Sequence, residues 1–326
     1  IAYMGLVPES ISHEGYASHP RHSYWDNFFI LRGLKDAAAI AVVLGEDEEA
    51  TRFAALRDAF RRDLYNSIRE TLKMHGIDFI PGAVELGDFD ATSTTVAVDP
   101  GGELGRLPQP ALDRTFERYF DHFIRRRDGR EPWEAYTPYE LRVVGTLIRL
   151  GYRDRALETL AFFLEGQRPA AWNHWAEVVW RDPKAPRFIG DMPHTWVGSD
   201  YIRSVRNLFV YEREADQALV IGAGIPDAWA TSPEGITVKR LPTWYGTLNY
   251  RMAMDGPDTL RVQLSGDVTV PPGRIILHSP LDRPLRSVKV NGRPVETFTA
   301  TTATLDQFPA EIEFQYGQEA SAAAAS

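Results

Sequence analysis

The apolar residues of this chain change their spacing near Pro226, and this change divides the chain into two parts. Before it, they recur every three or four positions, as along residues 53–64 and 112–123, which gives a helix one apolar face. After it, short runs such as 260–264 alternate apolar with polar residues, which is the pattern of half-buried strands. The two periods predict a mainly α fold followed by a C-terminal β domain.

The predicted elements give this division its boundaries. We expect helices near 25–44, 48–73, 110–127, 138–150, 154–165 and 198–213, a short helical piece near 173–180 and a long loop over 77–109. We expect strands at 236–238, 247–252, 260–264, 275–277 and 312–314, and a hairpin over 288–295 that turns at Asn291-Gly292. Short strands separated by turns are typical of an antiparallel β-sandwich. The predicted domains are a helical domain over 1–225, a β-sandwich over 226–318 and a disordered tail over 319–326.

Composition and charge exclude several classes of partner. The chain has 326 residues and a net charge of −9, which opposes binding to nucleic acid. No apolar run reaches the about 18 residues that span a bilayer, so we expect no membrane partner. The lack of cysteine excludes thiol catalysis but leaves the cellular compartment open. His19 and His22 straddle Pro20 and form no helical ligand pair, and no glycine-rich nucleotide loop is present, so we expect neither a metal nor a cofactor.

Two segments place a carboxylate among tryptophans. Asp26 follows Trp25 at the start of the first predicted helix, and Glu177 follows Trp172 and Trp175. Indole rings have flat apolar faces that suit a sugar ring, and a pair of carboxylates is what hydrolysis of a glycosidic bond requires. Each carboxylate also has a purely structural interpretation, Asp26 as a helix cap and Glu177 as a surface residue beside core tryptophans. We expect Asp26 and Glu177 to be catalytic.

Further polar and aromatic residues in the first 200 positions are candidates for binding the substrate. They are His22, Trp25, Asp90, Glu134, Trp172, His174, Trp175, Asp191, His194 and Trp196. Asp90 forms an Asp-x-Asp pair with Asp88, a weak signal because Asp88 also suits a turn. Glu140 is assigned to a capping box, Thr137-Pro138-Tyr139-Glu140, and is left out of the site. We expect the candidates to line one cleft.

Two of these motifs resemble segments of the six-hairpin glycosidase superfamily, the inverting (α/α)6-barrel glycoside hydrolases. Trp25-Asp26-Asn27, on a helix that ends at Leu44-Gly45, is similar to the acid-bearing segment of trehalases and processing-type α-glucosidases. Residues 172–177, with 193–199, resemble the base-bearing region of bacterial α-L-rhamnosidases. The resemblance implies an (α/α) toroid followed by a β-sandwich.

The resemblance also implies a departure from the complete barrel. Six helical hairpins need twelve helices, whereas about seven are predicted here. Because the chain also begins at Ile1 without a methionine, we expect it to contain only the C-terminal half of a toroid, with an upstream half on the full-length protein. In rhamnosidase-like members the general acid lies upstream of the matched region, and in that arrangement Asp26 would only bind sugar.

These expectations combine into a functional prediction. We expect a glycoside hydrolase that acts on an oligosaccharide or polysaccharide with inversion, with Asp26 as the general acid, held protonated by aromatic surroundings, and Glu177 as the base. The two carboxyl groups would then be about 6.5–9.5 Å apart. Two alternatives stay open: an (α/α)-toroid polysaccharide lyase that uses His194 or Tyr136 as its base, and a non-catalytic carbohydrate-binding protein.

Overall fold

The computed structural model describes residues 2–13, 15–184 and 187–317. The predicted disordered tail over 319–326 lies outside these ranges. Contacts divide the chain into two compact units, which are described separately. The first contains the residues up to Thr146 and Phe162–Asp200, and the second contains Leu147–Ala161 and the chain from Tyr201 onward. The division falls within three helices, after Thr146, Ala161 and Asp200.

The helical prediction is confirmed for most elements. The helices are α1 (Tyr24–Leu44), α2 (Asp47–His75), α3 (Ala91–Val98), α4 (Ala111–Arg127), α5 (Leu141–Arg149), α6 (Arg153–Leu164), α7 (Thr195–Phe209) and the short α8 (Asp227–Ala230). Helix α1 ends at Gly45, whose φ of 73° lets its amide bond back to the carbonyl of Val42. Within the described ranges, no helix is both long and apolar enough to cross a membrane.

Helix α3 lies inside the segment that the sequence predicts to be a loop. Its sequence, ATSTTVAV, lacks an apolar stripe because seven of its eight residues are buried. Asp90 caps the helix by accepting a hydrogen bond from the Ser93 amide at 3.0 Å. A helix buried on nearly every side has no amphipathic period for sequence analysis to detect.

The short helical piece predicted near 173–180 is wrong. The chain forms a single 3-10 turn over Ala170–Trp172, and Asn173 then adopts a left-handed φ of 49° that ends it. It continues as strand β2 (Val179–Trp180), which pairs antiparallel with β1 (Ala135–Tyr136). Glu177 therefore lies in a bend just before β2 and not in a helix.

The second unit contains two sheets. Their strands are β3 (Val210–Arg213), β4 (Ala218–Ile221), β5 (Ile236–Thr243), β6 (Gly246–Met254), β7 (Thr259–Gly266), β8 (Ile275–His278), β9 (Leu285–Val290), β10 (Arg293–Val295), β11 (Thr302–Leu305) and β12 (Ala310–Tyr316). The six-stranded sheet has the order β10-β9-β12-β7-β6-β5, and the four-stranded sheet has the order β11-β8-β4-β3. The predicted hairpin is confirmed: Asn291 and Gly292, with φ of 50° and 76°, connect β9 to β10.

The prediction of purely antiparallel pairing is wrong at one pair. Strands β4 and β8 are parallel, with Leu219 opposite Ile275. A parallel pair needs a long crossover connection, and here the chain forms β5, β6 and β7 of the other sheet before it returns as β8. Strand β3 also occupies residues 210–213, which were predicted to be the end of a helix.

The apolar side chains of both sheets are buried in one core. In β7, Leu260, Val262 and Leu264 are buried while the residues between them are exposed. Residues of the four-stranded sheet, including Leu219 and Ile275, belong to the same buried cluster. The structure thus has helices and a multi-sheet C-terminal β region.

Candidate functional site

An aromatic cluster in the first unit surrounds a buried arginine. We define it by Trp25 at the start of α1, Tyr139 just before α5 and Trp196 in the first turn of α7. The Trp25 and Trp196 ring centroids are 6.2 Å apart, and those of Tyr139 and Trp196 are 5.3 Å apart. The Arg142 guanidinium carbon lies 4.8, 5.4 and 5.9 Å from the Trp25, Tyr139 and Trp196 rings. Contacts of this kind between a cation and ring faces stabilise the arrangement, most strongly where water is excluded.

The exposure of the cluster is uneven. Trp196 is 45% exposed, Tyr139 is half-buried and Trp25 is only 8% exposed. Trp196 is therefore the member of the cluster with a ring open to solvent, and it stays a predicted binding residue. Trp25, also a predicted binding residue, is nearly buried, and its ring contacts His13 and Phe29.

A histidine–carboxylate pair adjoins this cluster. His13 Nε2 lies 3.7 Å from Asp90 Oδ2 and 3.3 Å from Ser93 Oγ, and the His13 ring centroid is 4.8 Å from that of Trp25. The Asp90 carboxylate raises the pKa of the His13 imidazole, against the opposing effects of burial and of Arg142. Burial alone would raise the pKa of Asp90, but the contact with His13 and the hydrogen bonds from Ser93 and Thr92 outweigh it and lower that pKa to about 2. Both shifts favour an imidazolium beside a carboxylate.

A glycine allows the segments around this pair to approach closely. A Cβ at Gly82 would lie 2.6 Å from the Tyr16 hydroxyl and 2.8 Å from Asp88 Oδ2. The Tyr16 hydroxyl donates a hydrogen bond to Asp88 Oδ2 at 2.9 Å, and Asp88 Oδ1 accepts the Ala83 amide. Asp88 is thus the turn residue of the Asp-x-Asp pair, whereas Asp90 contacts His13.

This pair predicts a specific pH dependence of stability. The lowered pKa of Asp90 stabilises the folded state by about 2 kcal/mol at pH values above 3.8, the ordinary pKa of this carboxyl group. This stabilisation is lost as the pH falls toward 2. The raised pKa of His13 has the opposite sign, because its contribution is present below pH 6.5 and is lost as the pH rises through the folded value. We expect Asp90→Asn to reduce the loss of unfolding free energy between about pH 4 and pH 2, measured by urea unfolding. Parallel acid profiles for the variant and the parent would contradict this.

Backbone hydrogen bonds join the segment that carries Glu177 to the segment that ends at His194, and the two form an irregular hairpin. The His194 amide donates to the Trp175 carbonyl at 3.1 Å, and the Glu177 amide donates to the Asp191 carbonyl at 3.2 Å. Gly190 has a φ of 66°, and a Cβ there would overlap the Glu177 carboxylate. The absence of a side chain at Gly190 therefore leaves the space that Glu177 occupies.

His194 joins this hairpin to the aromatic cluster. Its Nε2 lies 2.6 Å from the Tyr139 hydroxyl, and the two ring centroids are 5.5 Å apart. Asp191, predicted as a second partner for sugar hydroxyls, is highly exposed, with a carboxylate oxygen 3.9 Å from His194 Nδ1. Both side chains stay candidates for binding substrate.

The surroundings of Asp26 differ from the prediction. Its two carboxylate oxygens accept hydrogen bonds from the Ser10 hydroxyl at 2.5 Å and the Ser12 hydroxyl at 3.1 Å. The expected aromatic environment is wrong because successive residues on a helix point about 100° apart, so Trp25 and Asp26 face different neighbours. Asp26 instead holds the segment that leads directly to His13.

Trp175 is a core residue and not a stacking surface. It is 0% exposed, and its indole N–H donates to the Phe163 carbonyl at 2.7 Å. The tryptophans near Glu177 therefore differ in their surroundings, since Trp175 belongs to the core while Trp172 is exposed. Trp172 lines a separate cavity of about 300 Å³ together with Trp180, Ile189 and Met192.

The other predicted binding residues have protein partners. His22 Nδ1 lies 2.6 Å from Glu85 Oε1. His174 Nδ1 accepts the Trp175 amide at 2.9 Å, and Glu134, which is largely exposed, pairs with Arg187 at 3.0 Å.

The capping box predicted before α5 is wrong. This assignment is also the reason that a residue of the aromatic cluster was left out of the predicted site. Thr137 makes no side-chain cap, and Glu140 instead accepts hydrogen bonds from Arg126 and from Tyr119 at 2.7 Å. Tyr139 was missed because it lies within this local motif, and Arg142 because it follows the motif closely on the predicted helix. His13 lies in the polar segment before α1, but its sequence gives no indication that it pairs with Asp90.

Comparisons with known proteins give little further information. No protein-family model and no curated protein sequence matches the chain. A solved structure of a GH127 β-L-arabinofuranosidase from Geobacillus stearothermophilus T6 is 14% identical, with a TM-score of 0.27. The alignment covers 56% of this chain but only 31% of that chain. This weak structural neighbour is a glycosidase, but the likeness is too low to establish a shared fold, and membership of the six-hairpin superfamily is not shown.

Proposed function

We propose that the first unit binds a saccharide against Trp196 and hydrolyses its glycosidic bond. The observation that carries this proposal is the His13–Asp90 pair, which adjoins the aromatic cluster through Trp25. A protonated imidazole that contacts an aromatic cluster with an exposed ring is a natural proton donor for a departing sugar oxygen. The same unit carries the carboxylate of Glu177 on the neighbouring hairpin.

In this proposal His13 replaces Asp26 as the general acid. His13 gives its proton to the glycosidic oxygen as the bond from that oxygen to the anomeric carbon breaks. Glu177 takes a proton from the water that attacks the same carbon from the opposite face, so one water is consumed and the anomeric configuration inverts. Asp90 stabilises the imidazolium, and Asp26 is a positioning residue that fixes the Ser10–Ser12 segment.

We further infer the finer architecture. The packing of α1 against α2 and α3 supports a part of an (α/α) toroid as the scaffold of the site. The core shared by the two sheets supports a sandwich as the scaffold of the second unit.

A second candidate function, cleavage of a uronate polysaccharide by a lyase, is favoured by one contact. The Tyr139 hydroxyl and His194 Nε2 are 2.6 Å apart, and the Arg142 guanidinium lies against the same tyrosine ring. Such a pair could remove the proton next to a uronate carboxyl group. The other predicted lyase base, Tyr136, is unsuitable, because burial raises the pKa of its hydroxyl.

The test of the proposal is a panel of neutral aryl glycosides, neutral polysaccharides and uronate polysaccharides. A hydrolase releases reducing ends or aryl alcohols, a lyase releases unsaturated ends that absorb in the ultraviolet, and a binding protein releases neither.

We expect Trp196→Ala to raise the KM for a cleaved polysaccharide by up to about tenfold, since it removes the exposed ring of the cluster. Trp244→Ala, which removes a similarly exposed tryptophan from the second unit, is the matched control and should leave KM unchanged. Unsaturated products, or binding without cleavage, would overturn the proposal of hydrolysis.

A further inference from the structure

Three side chains from separate segments converge outside the aromatic cluster. They are Glu9 near the N-terminus, His22 just before α1 and Glu85 from the segment between α2 and α3. Each offers one ligand atom, and these atoms all lie within 4.8 Å of one another. Within the described ranges, this is the one group of three or more histidine and acidic side chains with such spacing.

Two of the three side chains are fixed in place. The backbone N–H of His22 donates to Glu85 Oε2 at 3.1 Å, and His22 Nδ1 lies 2.6 Å from Glu85 Oε1. The His22 ring also packs against Tyr3, with a centroid distance of 4.9 Å. Preformed ligands lose less conformational entropy when a metal binds. Glu9 is exposed, which leaves one side of the group open to water.

No lysine or arginine of the described residues balances the charge of the two carboxylates. In the part of the chain that the structure describes, neither carboxylate has an ion pair with lysine or arginine, and Glu85 pairs only with His22. Two carboxylates that approach each other closely repel. A divalent cation would offset both charges.

We propose that Glu9, His22 and Glu85 bind a divalent transition metal, with water completing the coordination. An imidazole with two carboxylates suits zinc or manganese better than calcium, which prefers oxygen ligands alone. No metal was predicted from the sequence. Glu9, His22 and Glu85 are far apart in sequence, so no spacing motif could have indicated this site.

The position of this site gives the metal a structural role. Ser10, which donates to Asp26, directly follows Glu9, and its backbone pairs with Arg21 next to His22. A metal at this site would therefore fix the segment that leads to His13 onto the start of α1. This inference does not rest on the proposed hydrolysis and is tested without an activity assay.

The experiment is calorimetric titration of the full chain with zinc chloride after dialysis against a chelator. We expect one equivalent to bind and to raise the melting temperature. Glu9→Gln, His22→Gln and Glu85→Gln should each weaken binding by at least about tenfold and reduce the thermal shift. Because Glu9 is exposed, Glu9→Gln tests the site without disturbing the fold.

His19→Gln removes an exposed histidine three residues from His22 and is the matched control. It should bind zinc as the parent does. The proposal is overturned if the parent binds no zinc, if the three variants bind it as tightly as the parent, or if His19→Gln weakens binding as much as they do.

Discussion

Glu177→Gln is expected to lower kcat by a factor of about 10²–10⁴ on any glycoside that the parent hydrolyses. The amide keeps the size and hydrogen-bonding shape of the carboxylate but cannot accept a proton from water. Substrate affinity, measured by calorimetry with the uncleaved polysaccharide, should change little. Glu46→Gln, a substitution of an exposed glutamate, is the control for the loss of one charge. Near-parental kcat in Glu177→Gln would remove Glu177 from the mechanism.

Leaving-group dependence separates the roles of His13 and Asp26. A good leaving group needs little protonation, so His13→Gln should retain much more activity on activated aryl glycosides than on natural saccharides. Asp26→Asn should lose activity equally on both, because it disturbs the segment that positions His13. If the two variants exchange these profiles, Asp26 is the acid, as the sequence resemblance implies.

The second large effect concerns stability. Asp200 is 1% exposed and accepts hydrogen bonds from Arg142 Nε at 3.1 Å and Nη2 at 2.6 Å. We expect Asp200→Leu to lower the free energy of unfolding by about 3–5 kcal/mol, because it leaves the buried guanidinium without this carboxylate. Denaturant unfolding, monitored by tryptophan fluorescence, measures the change.

Two comparisons identify burial of the charge as the cause. The exposed pair of Arg187 and Glu134 is the control, and Glu134→Gln should cost less than about 1 kcal/mol. Replacing both partners, with Arg142→Met and Asp200→Leu, should destabilise less than Asp200→Leu alone, since no buried guanidinium is then left without its carboxylate. A loss of less than about 1 kcal/mol in Asp200→Leu would show that this ion pair does not stabilise the aromatic cluster.

The sequence by itself determined the features that depend on neighbouring residues. The helical stripe along residues 53–64 predicted α2, and Asn291-Gly292 predicted the hairpin between β9 and β10, because periodicity and turn chemistry act over a few positions. The change of period near residue 226 likewise predicted that a β region follows the helices. Local composition also directed attention to residues 13–26 and 172–196, in which Trp25, His194 and Trp196 lie.

The tertiary structure decided which of those residues face one another. Trp175 and Trp172 look alike in sequence, but one is in the core and the other is exposed, because packing and not residue type sets burial. Adjacent Trp25 and Asp26 have different surroundings because a helix turns about 100° per residue. His13 and Asp90 are 77 positions apart, and the pairing that lowers the pKa of one and raises that of the other exists only once the chain is folded. Strands β3 and β4 also depend on distant partners, since β4 pairs with β8 more than fifty residues later, so no local pattern could have placed them in the β region.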